Sequence, residues 1–511
     1  MRRSLAAALG TALLLAAAPA SAGTGMFVGA ASDDARALAP AVAKSRMDLT
    51  ARAGFGAVRM SVVWTPGEQE VGGDDLVALD NATRAADADG VRLILSIYAR
   101  SWTTAPLTST ARGQFARFAA SIARAYPSIK DFVVGNEPNL NLFWMPQFGA
   151  GGVDLAARSY ELLLAKTYDA LKAVSADIDV IGGALAPRGQ DKPGSARQTH
   201  SPTAFIADLG SAYRATKRRR PIMDTFAIHP YLTPSSLPPS FAHPHTTTIG
   251  IADYPKLVKL LTAAFRGTAQ RGETLPIVYD EFGYQTQIPQ SKRWIYNHLS
   301  APSARDAIPE AQQAAYYKQA FALAACQPSV AGVLIFHVAD ERDARAWQSG
   351  VYYGNFTPKS SLAPVRAAAL AAQAGTLASC RQDKTTSAAS GIAFHGPSAT
   401  DPATLAVDFS CALPCTYELR LIDATTSGVA AATEGKAVGD ATATIATAGL
   451  ADGTYQYALR IFKCGKPGTA TTRFSRPFDV PAASDPVPLP PALDGSEPPL
   501  PTLQPTEPAT S

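Results

Sequence analysis

From residue 26 the chain alternates between two hydrophobic patterns. Short continuous apolar runs give way to longer stretches whose apolar positions recur at about 3.6 residues. The apolar runs cover residues 26–29, 57–63, 91–98, 132–135, 180–184, 225–229, 277–279 and 332–338. Between them lie helical patterns with legible ends. The stretch 40–53 carries Pro40 in its first turn and Gly54 past its end. The stretch 76–88 has Asp75 as its expected cap and Gly90 as its stop. Phe115, Phe118 and Ile122 make the apolar stripe of the third helix, and Ser201-Pro202 opens the fifth. Eight strands buried on both faces, each followed by a helix, predict an α/β fold, a (β/α)8 TIM barrel. A doubly wound open sheet is the rival, but no glycine-rich phosphate loop follows the first strand.

The pattern changes after a closing helix at 364–378. Residues 379–391 read as a linker. Residues 392–481 show short alternating runs, such as Tyr455-Gln456-Tyr457-Ala458-Leu459-Arg460-Ile461, separated by Gly, Asp and Thr. That predicts a small all-β, sandwich-like accessory domain. Residues 482–511 are proline-rich without Lys or Arg, the composition of an extended, disordered tail.

The first residues carry an address. Arg2 and Arg3 precede an apolar run, and Ala20-Ser21-Ala22 fits a cleavage site, so residues 1–22 read as a signal peptide cut near Ala22, with the barrel domain at 23–378. A secreted, extracellular protein is expected, with no membrane span. Losing Arg2 and Arg3 takes the formal charge from +4 to +2, which gives no electrostatic case for nucleic acid. Five cysteines, Cys326, Cys380, Cys411, Cys415 and Cys464, lack metal-ligand spacing and suggest disulfides in an exported chain. The breaks in the chain pair Cys326 with Cys380, and Cys464 with Cys411 or Cys415. No metal or cofactor motif is evident.

Two strand ends carry the chemistry. The fourth run stops at Asn136-Glu137-Pro138, where Pro138 cannot continue the ladder and biases Glu137 towards extended geometry. The seventh ends Tyr279-Asp280-Glu281-Phe282-Gly283. In a barrel these ends converge on one face, so Glu137 and Glu281 can meet as the acid/base and nucleophile that chemistry at a sugar acetal requires. Strand alternation turns Asp280 away from Glu281, as a structural partner. All five tryptophans, Trp64, Trp102, Trp144, Trp294 and Trp347, fall in strand-to-helix segments, where flat aromatic platforms could line a sugar cleft; packing of long loops is the alternative for some.

With Asn136-Glu137-Pro138 on strand four and Glu281 on strand seven, residues 25–377 resemble the clan of retaining (β/α)8 glycoside hydrolases. That clan includes cellulases, β-mannanases, β-xylosidases and β-galactosidases. The resemblance implies Glu137 as acid/base, Glu281 as nucleophile, and Asn136 on the sugar hydroxyl beside the anomeric carbon. It implies Arg59 beside the nucleophile, and His229-Pro230-Tyr231 as a His-x-Tyr whose tyrosine contacts the nucleophile while its histidine lines the sugar site. An ordinary buried ion pair for Arg59 and a satisfied core histidine for His229 remain the alternatives. Strand three lacks the histidine of cellulase-like members, and Phe336-His337 stands where many members carry tryptophan, which makes His337 a substrate-binding candidate.

The expected function is a secreted retaining glycosidase on a β-linked oligo- or polysaccharide, without cofactor or metal. A transglycosylase using the same residues and a catalytically silent glycan-binding surface protein are the alternatives.

Overall fold

The computed structural model describes residues 26–300, 306–377 and parts of 386–494. The expected signal peptide therefore lies outside the described residues, as does most of the expected linker and tail. The strands are β1 (Phe27–Ala31), β2 (Ala57–Trp64), β3 (Arg92–Ala99), β4 (Asp131–Val134), β5 (Asp179–Leu185), β6 (Thr225–Ile228), β7 (Ile277–Phe282) and β8 (Val330–Phe336). Each pairs in parallel with its successor, and β8 returns to β1 in the register Phe27↔Gly332 to Ala31↔Phe336, closing the barrel. The expected (β/α)8 fold is what the chain forms.

Helices α1 (Pro40–Arg52), α2 (Gly73–Asp89), α3 (Ser109–Ala125), α4 (Leu155–Val174), α5 (Pro202–Ala215), α6 (Tyr254–Phe265), α7 (Glu310–Ala325) and α8 (Leu362–Gln373) surround it. Their ends follow local chemistry. Thr108, Asp154 and Ser201 each accept a backbone N–H three residues on, capping α3, α4 and α5. Gly90 stops α2 in the left-handed region at φ 64°. The N-cap of α2 is Gly72 rather than Asp75, which sits with Asp74 in the first turn, where acids suit the helix dipole.

Alternation along the strands divides the core. Val58, Met60, Leu95 and Val180 pack outward against helix residues such as Phe115, Phe118 and Leu164. Ala57, Ile94, Val133, Ile181, Ala227 and Leu334 form a separate apolar plug inside the barrel. One pleat further along, the inward positions turn polar: Arg59 follows Ala57, Ser96 follows Ile94, and His229 follows Ala227. The barrel is therefore sealed low down, and its chemistry is gathered at the C-terminal ends of the strands. Closure is tight at Gly29, where a Cβ would come 2.1 Å from the Ala57 carbonyl oxygen.

The C-terminal region is antiparallel, as expected. Strands β9 (Thr386–Ser387), β10 (Ile392–Ser398), β11 (Thr404–Asp423), β12 (Val429–Ala446), β13 (Gly453–Lys463), β14 (Thr471–Ser475), β15 (Phe478–Val480) and β16 (Leu493–Asp494) hydrogen-bond into one network around β11 and β13. Its own core includes Val407, Phe409, Leu419, Tyr457 and Ile461. Pairing along β11 is interrupted between Cys411 and Cys415. These two cysteines are bonded to each other, which corrects the expected pairing of either with Cys464. Cys326 is disulfide-bonded, and its expected partner Cys380 lies outside the described residues, as does Cys464.

Candidate active site

The C-terminal ends of the strands surround a cavity of about 1060 Å³. Glu137 reaches it through an unusual backbone. Gly135 has φ 85° and Glu137 itself φ 39°, so Glu137 does not take the extended geometry that Pro138 favours. Hydrogen bonds hold it there. The Glu137 N–H donates to the Ala184 carbonyl at 2.9 Å, and its own carbonyl accepts from Leu140 N–H at 2.9 Å. Asn139, fully buried, ties the segment to the following strand by donating to the Ala186 and His200 carbonyls and accepting from Ala186 N–H. A non-glycine residue held at positive φ persists only where its surroundings over-determine it, and such residues concentrate at functional sites.

Glu281 is placed by a different device. Register between β7 and β8 slips between Tyr279 and Phe282. An irregularity of this kind breaks strict alternation. Asp280 and Glu281 consequently contact the same two cations, Arg59 and His229, although they are neighbours in a strand. Asp280 is wholly buried, while Glu281 lines the cavity. The expected partner role of Asp280 holds, but it is not turned away from the site.

Arg59 Nη1 donates to Glu281 Oε1 at 2.6 Å, and Nη2 donates to Ser96 Oγ at 3.0 Å and Asn136 Oδ1 at 3.1 Å. Its Nε lies 3.5 Å from Asp280 Oδ2. Tyr231 Oη donates to Glu281 Oε2 at 3.3 Å. His229 Nδ1 is 2.9 Å from Glu137 Oε1 and 3.5 Å from Glu281 Oε2, while its Nε2 faces Asp280 Oδ1 at 3.3 Å. One imidazole thus spans three carboxyl groups. Burial works against its charge, but Glu281 and Asp280, with hydrogen bonds to Asp280 and Glu137, raise its pKa from 6.5 to about 10. Burial likewise opposes the charged form of Asp280, yet His229 and Arg59 bring its pKa below the usual value. Burial and the negative charges of Glu281 and Glu137 push Tyr231 well up, so its hydroxyl remains a donor.

A pH expectation follows with a definite sign. A histidine whose pKa rises on folding contributes stability that is complete below its ordinary value near 6.5 and disappears as pH climbs through about 10. The His229 ring should therefore stay an imidazolium between about pH 6 and pH 8, where unperturbed histidines titrate. A nitrogen-15 titration of the ring in the full chain checks this, and a His229 signal that moves with an ordinary histidine midpoint contradicts it.

Of the other expected site residues, Arg59, Asn136, Tyr231, His337 and Trp347 line the cavity with the two glutamates. His229 does not line it; it lies fully buried behind the carboxylates. Four of the tryptophans are also elsewhere. Trp64 is the last residue of β2 and is buried against Phe115, its Nε1 donating to the Glu68 carbonyl. Trp144 is buried against Tyr160 and donates to Ser159 Oγ. Trp102 and Trp294 are exposed and outside the lining, although Trp102 N–H donates to the carbonyl of Leu142, a lining residue. Trp347 alone of the five reaches the cavity, packed on Tyr231 and Phe336. Sequence reasoning missed Tyr98 and Phe143, which line the cavity and meet edge to face. The signal for Tyr98 was present, since it falls two residues after Ser96 on the inward face of β3.

Among the described residues, one group of side chains has donor types suited to a cation: Asp154, His200 and Asp208, with ligand atoms within 4.8 Å of one another. It lies outside the cavity lining. Asp154 already caps α4, and Gln147 accepts from His200 Nε2 through its carbonyl at 3.0 Å.

No protein-family profile and no curated protein sequence matches the chain. Solved structures do. A GH39 enzyme from Xanthomonas axonopodis pv. citri aligns with 14% identity over 85% of this chain and 94% of that one, TM-score 0.44. An endo-β-1,4-mannanase from Thermotoga petrophila aligns with 11% identity over 90% and 98%, TM-score 0.42. A β-glucuronidase from Bacteroides uniformis aligns with 13% identity over 90% of this chain and 46% of its own, TM-score 0.42. The chain spans about half the length of the Bacteroides uniformis structures it matches. At these identities the likeness is one of fold.

Proposed function

We propose that this protein is a retaining glycosidase that cleaves a β-linked glycan by double displacement. The observation that carries the reading is the placing of Glu137 and Glu281 on one imidazole nitrogen, at 2.9 Å and 3.5 Å. Their nearest oxygens can be no further apart than those two distances combined. That limit accommodates the roughly 5 to 5.5 Å between the carboxyl groups of retaining enzymes.

The surroundings support distinct roles. Arg59 and Tyr231 both donate to Glu281, which orients it for attack on the anomeric carbon. As the carbon–oxygen bond breaks, Glu137 gives its proton to the departing glycosidic oxygen, and a glycosyl ester forms on Glu281. Glu137 then takes a proton from water, which attacks the ester and frees Glu281. Two cations, Arg59 and His229, against three carboxyl groups let the cluster carry one acidic proton without net charge. Asn136, which accepts from Arg59, would bond a sugar hydroxyl beside the reacting carbon. Trp347, Phe336, Tyr98 and Phe143 offer aromatic faces to sugar rings. We also propose that the chain is exported, on the strength of residues 1–22.

The test is stereochemical. Proton NMR of early hydrolysis products from an aryl β-glycoside should show the β-anomer forming first, before mutarotation. Initial appearance of the α-anomer would remove the double-displacement reading. Dominant transfer to an added acceptor sugar would favour a transglycosylase instead.

A further inference from the structure

The cavity contains two arginines that the proposed chemistry does not use. Arg188 and Arg197 line it from the long connection between β5 and α5. The acids in the lining have partners within the protein: Asp33 accepts from Ser61 N–H, Asp34 from Ser32 Oγ, Asp306 from Ser235 N–H, Asp340 from Lys359 Nζ, and Glu341 from Trp347 N–H. Among the described residues Arg188 and Arg197 make neither a hydrogen bond nor an ion pair, unlike Arg59, Arg92, Arg218 and Arg345.

Their backbone is nevertheless anchored. Pro187 accepts from Ile249 N–H, and Gln190 N–H and Asp191 N–H both bond Thr199. Gly189 packs so closely that a Cβ would meet the His200 carbonyl oxygen at 2.1 Å. Arg188 is thus presented from a pinned segment and Arg197 from the stretch that follows it; both are exposed, and among the described residues neither has a counter-charge of its own. Although Arg188 is exposed, the atoms around its guanidinium and the positive charge of Arg197 hold its pKa below the ordinary arginine value, with Glu137 working the other way. A guanidinium under-compensated in this way gains from an anion that can accept two parallel N–H bonds.

We propose that Arg188 and Arg197 read an anionic substituent, a carboxylate or a sulfate, on the glycan that occupies this cavity. The inference rests on reading the cavity as a glycan site, and it names the substrate class as acidic. Acids outnumber arginines in the lining, so recognition is local and geometric rather than a long-range pull. Charge in the wrong position should not help.

The experiment measures binding by the full-length Glu281→Gln variant to matched glycans. Hyaluronan and polymannuronate supply carboxylates, and chondroitin sulfate adds sulfate. Each is compared with its carboxyl-reduced or desulfated form. At least one charged member should bind about tenfold more tightly than its neutralised counterpart. The same preference should vanish when Arg188→Ala and Arg197→Ala are added, and Arg188→Lys should restore only part of it. Loss of carboxylate preference alone, or of sulfate preference alone, identifies which anion is read. Equal binding of charged and neutralised partners overturns the inference, and so does a preference that survives the double variant. Arginine-dependent binding with no cleavage of any glycan would sink the glycosidase reading and leave this one standing. Cleavage of neutral glycosides with no charge preference would do the reverse.

Discussion

Glu281→Ala should lose about 10⁴-fold or more in kcat on every glycoside the wild-type enzyme cleaves, a barrier increase of about 5 kcal/mol. The loss is independent of the leaving group because the missing bond is the one to carbon. Wild-type enzyme incubated with a 2-fluoro β-glycosyl fluoride of the cleaved sugar should become covalently labelled, since fluorine beside the reacting centre slows hydrolysis of the ester. Peptide mapping should place the label on Glu281. Structure separates this residue from its neighbour. Asp280 is wholly buried between Arg59 and His229, whereas Glu281 opens to the cavity. A label on Asp280 would mean that the irregularity in β7 turns the other carboxylate outward. Full activity in Glu281→Ala would end the proposal.

The barrel was legible because its signal is repeated eight times and each repeat is local. Apolar runs buried on both faces need no knowledge of their neighbours to be recognised, and seven of the eight predicted runs overlap their strand by all or all but one or two residues. Both glutamates were legible for a related reason: a carboxylate at the end of an apolar run has only one face of a barrel to go to. What failed depended on geometry that leaves no mark in a single segment. The register slip in β7 looks like ordinary strand in the sequence, so alternation placed Asp280 wrongly. The left-handed turn at Glu137 follows from its hydrogen bonds to Ala184 and Leu140 and overrides the local bias of Pro138. Trp64 looked like a loop residue because β2 runs one residue beyond its expected end, and its indole turns into the layer against α3. His229 satisfied both of its alternatives in part. It is a buried histidine with partners, and those partners are the carboxyl groups of the site.

Glu137→Ala should divide substrates by leaving group, which a purely structural role would not do. General acid catalysis contributes roughly 10² to 10⁴-fold, and only to departures that need a proton. Cleavage of an unactivated disaccharide should therefore fall by about 10³-fold, while formation of the glycosyl ester from a 2,4-dinitrophenyl β-glycoside should fall by no more than about tenfold. Removal of Glu137 also takes away the base for the second step, so the ester should accumulate with the activated substrate and a burst of dinitrophenol should precede a slow steady state. Azide needs no base. It should enter the space left by the carboxylate, restore turnover and yield the β-glycosyl azide. Loss of Glu137 removes one of the partners of His229 Nδ1, so its folded state should be checked by an unchanged near-ultraviolet circular dichroism spectrum before the kinetics are compared. Equal losses on both substrates, with no response to azide in a folded variant, would take the acid/base role from Glu137. An α-glycosyl azide would place the rescued attack on the Glu281 face and reverse the two assignments.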